Sequence, residues 1–597
     1  MPLDMSPEQR AIGQRNFAQA AADIERARQL GEPKDAPTRR TFLKVAAASG
    51  AVVPVSAAVY FGYEQWKGNN PVKVALVGCG DEGGILVGDH NKDFTKIVAV
   101  CDVRPFNMER IFAGDTGSPR KGLNTVYGEA EAKKIRRFDT VEALLAAKDE
   151  LGLEGVILAT PLITHRPLTV QCLEARLHVL CEKLMARTIA DCKAMIAKAK
   201  EKGLLLSIGH QRHYSMLYAH ALEVVNSGLL GDIKHIRAFW HRNFSWPQNY
   251  TEKEKEAFDL THDLPTIRDG WYPPIRKVDS AKLTPDEMAK LAFVPIADLD
   301  AAKKYDPKSG ARPVPYYTGI EELVRWRISD RTGGGLMAEL GSHQLDASSI
   351  FLGKVKPISV VGTGVHSFYG KDGKGKNPRD CDDAVFVTYE FPGPTYATDK
   401  QDVVVVTYTS QSTNGFEEYG ECLMGSRGTM IVEKEANVYL FKEKDPNKKG
   451  DTGGKDTSIT VSVNKDGKPA AEASSTWGGG GAAAITKGPS GPAWDSDIRG
   501  YRSEMEHFAY CVRKWQERKQ PVSYESEVGA DGKKKWKHAD ILPRCHGEIA
   551  MADAILALTA NLAMKHRVRI DFNPNWFDPD KHAFGDHPED LFEKRVS

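Results

Sequence analysis

The sequence predicts two folded units in series. The first is an α/β unit on a parallel sheet; the second is an α+β unit on a large, mainly antiparallel sheet. Three observations carry this. From residue 72 to residue 212, short apolar runs alternate with helical patterns. A glycine turn in G-x-G-x-x-G spacing joins the first run to the first helix. Beyond about residue 230, apolar runs follow one another without long helices between them.

The first unit is organised around residues 72–104. An apolar β-branched run, 72–77, leads into Gly78, Gly80 and Gly83. A short helical pattern covers 84–91, and a second apolar strand, 97–101, ends on Asp102. Near-continuous apolar strands suit a parallel sheet buried on both faces. In this spacing Gly78 permits the tight turn, Gly80 lets the backbone approach a pyrophosphate, and Gly83 lets helix and strand pack closely. The helix N-terminus offers free N–H groups to phosphates. Asp102 lies 24 residues after Gly78, where a carboxylate accepts from a ribose diol. Strand, turn, helix and closing acid together predict a Rossmann dinucleotide-binding domain over 71–212.

Further strands are predicted at 155–159, 178–181 and 204–208, with helices at 140–147, 168–175 and 189–202. Residues 127–137 follow a polar helical stretch. Ligands of open α/β sheets bind beyond the carboxyl ends of the strands. Asp102, Thr160, Lys183 and His210 all fall at such ends and are expected to converge on one crevice.

In the second unit, 213–572, strands are predicted at 233–240, 358–365, 384–389, 403–408 and 429–432. Two helices, 503–517 and 546–565, close it, and 573–597 form a tail. Two insertions interrupt it. Residues 246–317 are rich in charge, proline and aromatics, including His262, Trp271, Tyr272, Tyr316 and Tyr317. Residues 445–494 carry Lys/Gly runs and read as a flexible excursion. There is no internal repeat.

Residues 1–70 read as a leader and linker. A polar helix-like run, 7–30, is expected to be mobile. Thr38-Arg39-Arg40-Thr41-Phe42-Leu43-Lys44 then precedes a weakly apolar stretch, 45–60. This closely resembles a twin-arginine export signal. Ser49, Gly50, Pro54 and Ser56 make the stretch a poor membrane span, so periplasmic or otherwise exported localisation is expected, with no stable membrane span. That route carries folded proteins, so a tightly held cofactor can be loaded first. The nine cysteines have no framework spacing. Several sit in predicted core strands and act as small apolar residues. A formal net charge of +1 on 597 residues steers the chain toward neither nucleic acid nor anionic membrane.

Gly333-Gly334-Gly335 opens a second chemical stretch, Leu336 to Asp346. On an α-helix, i to i+4 spacing puts Glu339 and His343 on one face, with Asp346 a turn further. A carboxylate beside an imidazole fixes its tautomer and raises its basicity. With GCGDEG, VCDV, ILATPLITH, HVLCEKL, IGHQRHY and GGGLMAELGSHQLD in place, the chain resembles the glucose–fructose oxidoreductase/inositol dehydrogenase, or Gfo/Idh/MocA, family. RSEMEHFAYCVRKWQERKQPV and RCHGEIAMADAILALTANL extend the resemblance over roughly residues 71–572.

The resemblance implies a catalytic lysine at Lys183 and a catalytic histidine at His343. It places a carboxylate four residues before that histidine, here Glu339 where aspartate is usual. The family's E-K-P motif has Leu184 in place of proline. We assign cofactor contacts to Gly78, Gly80, Gly83, Asp102, Thr160, Pro161, His165, Glu182, Lys183 and Gln211. Substrate contacts are assigned to Arg212, His213, Arg327 and Asp346, with insertion aromatics stacking on the sugar. No metal is expected, since Glu339, His343 and Asp346 have no further ligand at local spacing.

The expected function is NAD(P)-dependent oxidation of a secondary alcohol on a sugar, glycoside or cyclitol. His343 takes the hydroxyl proton, Lys183 stabilises the alkoxide and Glu339 orients His343. NAD is preferred to NADP because Asp102 repels a 2′-phosphate that Arg104 would otherwise meet. Cleavage of glycosides through a transient keto-sugar and non-catalytic NAD binding are the alternatives. A homo-oligomer through the sheet of the second unit is also expected.

Overall fold

The computed structural model describes residues 5–31, 57–63, most of 70–255, 266–276, 294–295 and 320–447, parts of 453–473, and most of 499–592. The arginine pair and the apolar run to residue 56 lie outside the described residues, as do most of both insertions, including His262, Tyr316 and Tyr317.

The first sheet holds β1 (Val72–Val77), β2 (Thr95–Cys101), β3 (Arg136–Phe138), β4 (Gly155–Leu158), β5 (His178–Glu182) and β6 (Leu206–Gly209). Their order is β3-β2-β1-β4-β5-β6, all parallel. The order reverses between β1 and β4, which opens the crevice that the glycine turn faces. This is a Rossmann sheet, as expected. The five strands other than edge strand β3 are buried almost throughout, and only Lys73 and Lys96 break β1 and β2 outward.

The second sheet has eight strands. They are β7 (Ile233–His241), β8 (Ser359–Val365), β9 (Ala384–Pro392), β10 (Val403–Gln411), β11 (Tyr419–Gly425), β12 (Gly428–Glu433), β13 (Asn437–Lys442) and β14 (Ile570–Asp571). The order is β13-β12-β11-β7-β10-β9-β8-β14. Every pair is antiparallel except β7 with β10. Strands β11, β13 and β14 have no counterpart in the sequence reading.

Helices cover both sheets. They are α1 (Pro7–Gly31), α2 (Asp81–Asp89), α3 (Pro105–Ala113), α4 (His165–Glu174), α5 (Ile189–Lys202), α6 (Met216–Asn226), α7 (Ser342–Phe351), α8 (Tyr501–Glu517) and α9 (Gly547–His566). Met505, Phe508 and Val512 of α8 pack with Val74, Leu76, Ile157 and Leu180, so this late helix covers the first sheet. α7 and α9 lie on the inner face of the second sheet, where the Tyr389 hydroxyl donates to the Leu556 carbonyl (3.0 Å). α9 is the one described helix long and apolar enough to cross a membrane, and it is mostly buried in this core.

The first helix departs from the expectation of a mobile leader. α1 packs on the outer face of β11–β13, where Met5 joins Cys422, Ile431, Tyr439 and Phe441. A Cβ on Gly13 would meet Phe441 at 2.6 Å, so the close approach needs glycine. Arg10 pairs with Glu433 (3.0 Å) and the Asn16 amide donates to the Leu440 carbonyl (3.0 Å). All nine cysteines are buried and unpaired, so no disulfide contributes to the fold.

Candidate active site

The glycine turn has the shape a dinucleotide needs. Gly78 sits at φ +95°, and a Cβ there would meet the Ala159 carbonyl oxygen at 2.2 Å. A Cβ on Gly83 would meet the Gly78 carbonyl oxygen at 2.1 Å. Gly80 differs: its nearest neighbour would be the Asn107 amide at 3.8 Å. It is the N-cap of α2 and has no side-chain cap, so that helix end is open to an incoming phosphate. The residues present therefore fit a bound dinucleotide.

Asp102 is turned toward its own loop. It accepts from the Cys79 N–H (2.7 Å), the Arg104 N–H (2.7 Å) and the Asn107 amide (3.1 Å). It thus fastens the glycine turn, and burial raises its pKa. A carboxylate has about four lone-pair sites, so capacity for a ribose hydroxyl remains.

The other crevice residues divide by partner. Thr160 receives the Thr164 hydroxyl (2.7 Å), and Pro161 precedes a short 3-10 turn. His165 is a clamp: Nδ1 lies 2.7 Å from the Leu184 carbonyl oxygen and Nε2 lies 2.8 Å from that of Thr160. It is buried and engaged at both nitrogens, which leaves no ring atom for a cofactor contact. The Glu182 carboxyl stands over Gly209, where a Cβ would meet it at 2.6 Å. Burial and Glu82 both raise its pKa. The Gln211 amide reaches the Tyr501 hydroxyl at 3.4 Å.

Lys183, Glu339 and His343 come together. The Lys183 ammonium donates to the Glu339 carbonyl (3.1 Å), and the Lys183–Leu184 peptide is cis. His343 is buried, its ring 5.4 Å from that of Trp240, and its Nδ1 has no partner among the described residues. Burial, then the Lys183 charge, holds the imidazole well below its ordinary pKa, so it is neutral.

Glu339 does not orient His343. Its carboxylate accepts from Arg327 Nε (2.8 Å). The reason is local: Met337–Gly341 forms a π turn, not an α turn. One extra residue per turn breaks the i to i+4 alignment that the sequence reading assumed. Burial would raise the Glu339 pKa, but Arg327 and Lys183 pull it down to about 2.

Three assigned substrate residues are held elsewhere. Arg212 is buried, donating to Glu435 (2.6 and 3.1 Å) and lying 3.5 Å from Glu421. It lies under the site and is not free for a hydroxyl. Asp346 is buried and accepts from His213 Nε2 (2.8 Å) and Lys354 (2.6 Å). His210, Asp346 and Asp553 have donor atoms within 4.8 Å of one another. The Lys354 ammonium also contacts Asp553 at 3.0 Å, so a lysine already supplies the cation there. Of the insertion aromatics, Trp271 and Tyr272 are buried. Arg379 lies 4.8 Å over the first ring and Arg325 3.7 Å over the second. Each ring is thus engaged by an arginine inside the protein.

Sequence reasoning missed Trp240 and Arg242. Strand parity is the available signal: Ile236, Ala238 and Trp240 share the inward face of β7.

Comparison with known proteins places the chain among oxidoreductase-like sequences. Residues 72–210 match the model of the Gfo/Idh/MocA oxidoreductase family, NAD-binding Rossmann fold. Residues 313–431 match the GFO/IDH/MocA C-terminal domain. The chain is similar to a glycosyl hydrolase family 109 protein of Stenotrophomonas maltophilia, 24% identical over 296 residues, 48% of this chain and 56% of the relative. It is similar to inositol 2-dehydrogenase 1 of Saccharopolyspora erythraea, 28% identical over 33% of this chain and 53% of the relative. A scyllo-inositol 2-dehydrogenase (NADP(+)) of Bacillus subtilis is 30% identical over 32% and 48%. The chain thus spans about half the length of the curated relatives it matches. Among solved structures, an oxidoreductase domain protein from Kribbella flavida is 13% identical, with a TM-score of 0.49 over 84% of this chain and all of that one.

Proposed function

We propose, for a chain that belongs to the Gfo/Idh/MocA oxidoreductase family, that it oxidises a secondary alcohol of a sugar, glycoside or cyclitol with NAD. The observation that carries this is the Lys183 ammonium on the Glu339 carbonyl, one turn before a neutral, buried His343. When bound, the nicotinamide dinucleotide supplies the hydride acceptor. His343 takes the hydroxyl proton at a ring nitrogen, which its neutral state permits. Lys183 stabilises the negative charge that develops on the substrate oxygen as its proton leaves, in a site where burial strengthens the interaction. The Arg327–Glu339 pair holds the turn that carries the Lys183 acceptor carbonyl. Asp102 at the end of β2 favours NAD over NADP.

The test is direct. Mass spectrometry of the denatured native protein identifies any carried nucleotide. Absorbance at the NADH band with a sugar and cyclitol panel then reads turnover. We expect Lys183→Ala to cost about 10²- to 10⁴-fold in kcat with NAD binding retained. Full activity in that variant sinks the reading.

A second reading draws on the similarity to a glycosyl hydrolase family 109 protein. Transient oxidation, cleavage and re-reduction would release an aglycone without net NADH. Aryl glycosides separate the two outcomes.

We further propose export through the twin-arginine route, on the Thr38 to Lys44 motif. Lys/Lys replacement of Arg39 and Arg40 should hold the protein in the cytoplasm, and unchanged fractionation counts against it. A homo-oligomer is proposed through the open part of the second sheet, where Val361, Val365 and Phe386 are exposed. Light scattering at monomer mass would refute it.

A further inference from the structure

The cations around the crevice are unequally served. Lys183 has the Glu339 carbonyl, Arg327 has the Glu339 carboxylate, and Arg212 has Glu421 and Glu435. Arg242 has none of these. Its backbone N–H donates to the Gln411 carbonyl (2.8 Å), which continues β7 by one residue. Its guanidinium has no hydrogen-bond or carboxylate partner among the described residues. It lies half-buried, 5.1 Å from the centre of the Trp240 ring.

Strand parity places Arg242 on the same side as Trp240, two residues earlier. The Trp240 ring is in turn 5.4 Å from the His343 ring. The Arg242 guanidinium and the His343 ring thus lie against the same indole, 5.1 Å and 5.4 Å from its centre. Charge balance points the same way. Glu339 is already committed to Arg327, and Arg327 repels Arg242. Burial weakens the Arg242 hold on its own proton, only partly offset by Glu339. A half-buried cation in that setting costs free energy unless something anionic completes it.

The anion is not the cofactor's diphosphate. That group fits the open end of α2 at Gly80. The groups that act on Arg242 are Glu339, Arg327, Tyr408 and Tyr419, all in the second domain. The remaining alternative is a guanidinium that only stacks on Trp240, an interaction of about 0.5–2 kcal/mol.

We propose that the sugar handled here carries an oxyanion group, a carboxylate or a phosphate ester, seated on Arg242 beside His343. This rests on the oxidoreductase reading above and narrows its substrate class. A planar guanidinium presents paired donors that match either oxyanion.

The experiment measures binding, not turnover, on the full chain saturated with NADH. The probes are D-glucuronate, D-glucose 6-phosphate and D-glucose, titrated calorimetrically at constant ionic strength. At least one charged probe should bind about 10-fold or more tightly than D-glucose. Which one does so separates carboxylate from phosphate. Arg242→Gln should remove that preference with NADH affinity unchanged, and Arg242→Lys should restore part of it. Both variants keep the backbone bond to Gln411, so the strand end is retained.

D-glucose binding as tightly as both charged probes overturns the proposal. So does equal weakening of all three probes in Arg242→Gln, or no binding of either charged probe. The oxidoreductase reading fails separately, by absence of NADH binding in the unmodified protein. Charged-sugar preference without NADH binding would leave the Arg242 assignment standing and remove the redox one.

Discussion

The Glu339 carboxylate meets the Arg327 guanidinium at 2.8 Å, and Nδ1 of His343, four residues on, has no hydrogen-bond partner among the described residues. Glu339 therefore acts on the shape of the turn, and through its carbonyl on Lys183. Glu339→Asp should shorten the arm, lose the Arg327 contact and lower kcat about 10-fold. A charge-assisted hydrogen bond of this kind contributes about 1.5–3 kcal/mol. Arg327→Ala should cost a similar amount, and the double variant no more than either alone. A double-mutant cycle on kcat checks this. Additive losses would mean that the two residues act independently.

The glycines make a separable prediction. Gly83→Ala must displace the Gly78 carbonyl, since its Cβ would sit 2.1 Å from that oxygen. Its melting temperature should fall without any ligand. Gly80→Ala meets nothing closer than 3.8 Å, at a backbone φ of −77° that alanine adopts freely. The apo protein should melt unchanged, yet NADH affinity should fall at least about 10-fold, because the methyl occupies the phosphate approach. Equal loss of stability in both variants would contradict the assigned roles.

The sequence assigns Arg212 to substrate, and its partners explain why that failed. Glu421 and Glu435 lie more than 200 residues downstream, on and just beyond strands β11 and β12. β11 itself was not recognised. Arg212→Ala strands two buried carboxyl groups, of which Glu421 already has its pKa pushed up to about 7. Breaking a buried ion pair costs about 3–5 kcal/mol. Urea unfolding should show that loss. A variant of native stability with a raised KM would restore the original assignment.

What could be read from the chain was what is encoded locally. The glycine turn, its flanking strands and the acid closing β2 need only neighbours in sequence, and each lies where spacing put it. Lys183, at a strand end of the crevice, reaches the Glu339 carbonyl in the turn before His343, and its charge acts on that imidazole. Three kinds of feature were hidden. The π turn at Met337–Gly341 changes the ladder without changing residue types. The docking of α1 depends on Gly13 facing Tyr439 and Phe441, a pairing no local pattern announces. The engagement of His165 by two carbonyl oxygens, and of Asp346 by His213 and Lys354, follows from tertiary packing. Each such residue type resembled a ligand contact until its partner was known.

The neutral state of His343 sets a pH dependence with a definite sign. Burial, then Lys183, depresses its pKa well below 6.5. A base is useful while unprotonated, so the oxidation rate should not decline as pH falls through 6.5. Its acid limb should appear lower, nearer the depressed value. The same depression ties to stability. The unfolded chain takes up a proton at this histidine near pH 6.5 and the folded chain does not, so its contribution is present above 6.5 and lost as pH falls below it. His210 behaves alike, with burial lowering its pKa to about 3. The profile of kcat/KM from pH 4.5 to 9, with buffer-matched unfolding midpoints, reads both effects. An acid limb at or above pH 6.5 that disappears in His343→Asn would show that the imidazole titrates as it does in water, and the buried-base mechanism would have to be abandoned.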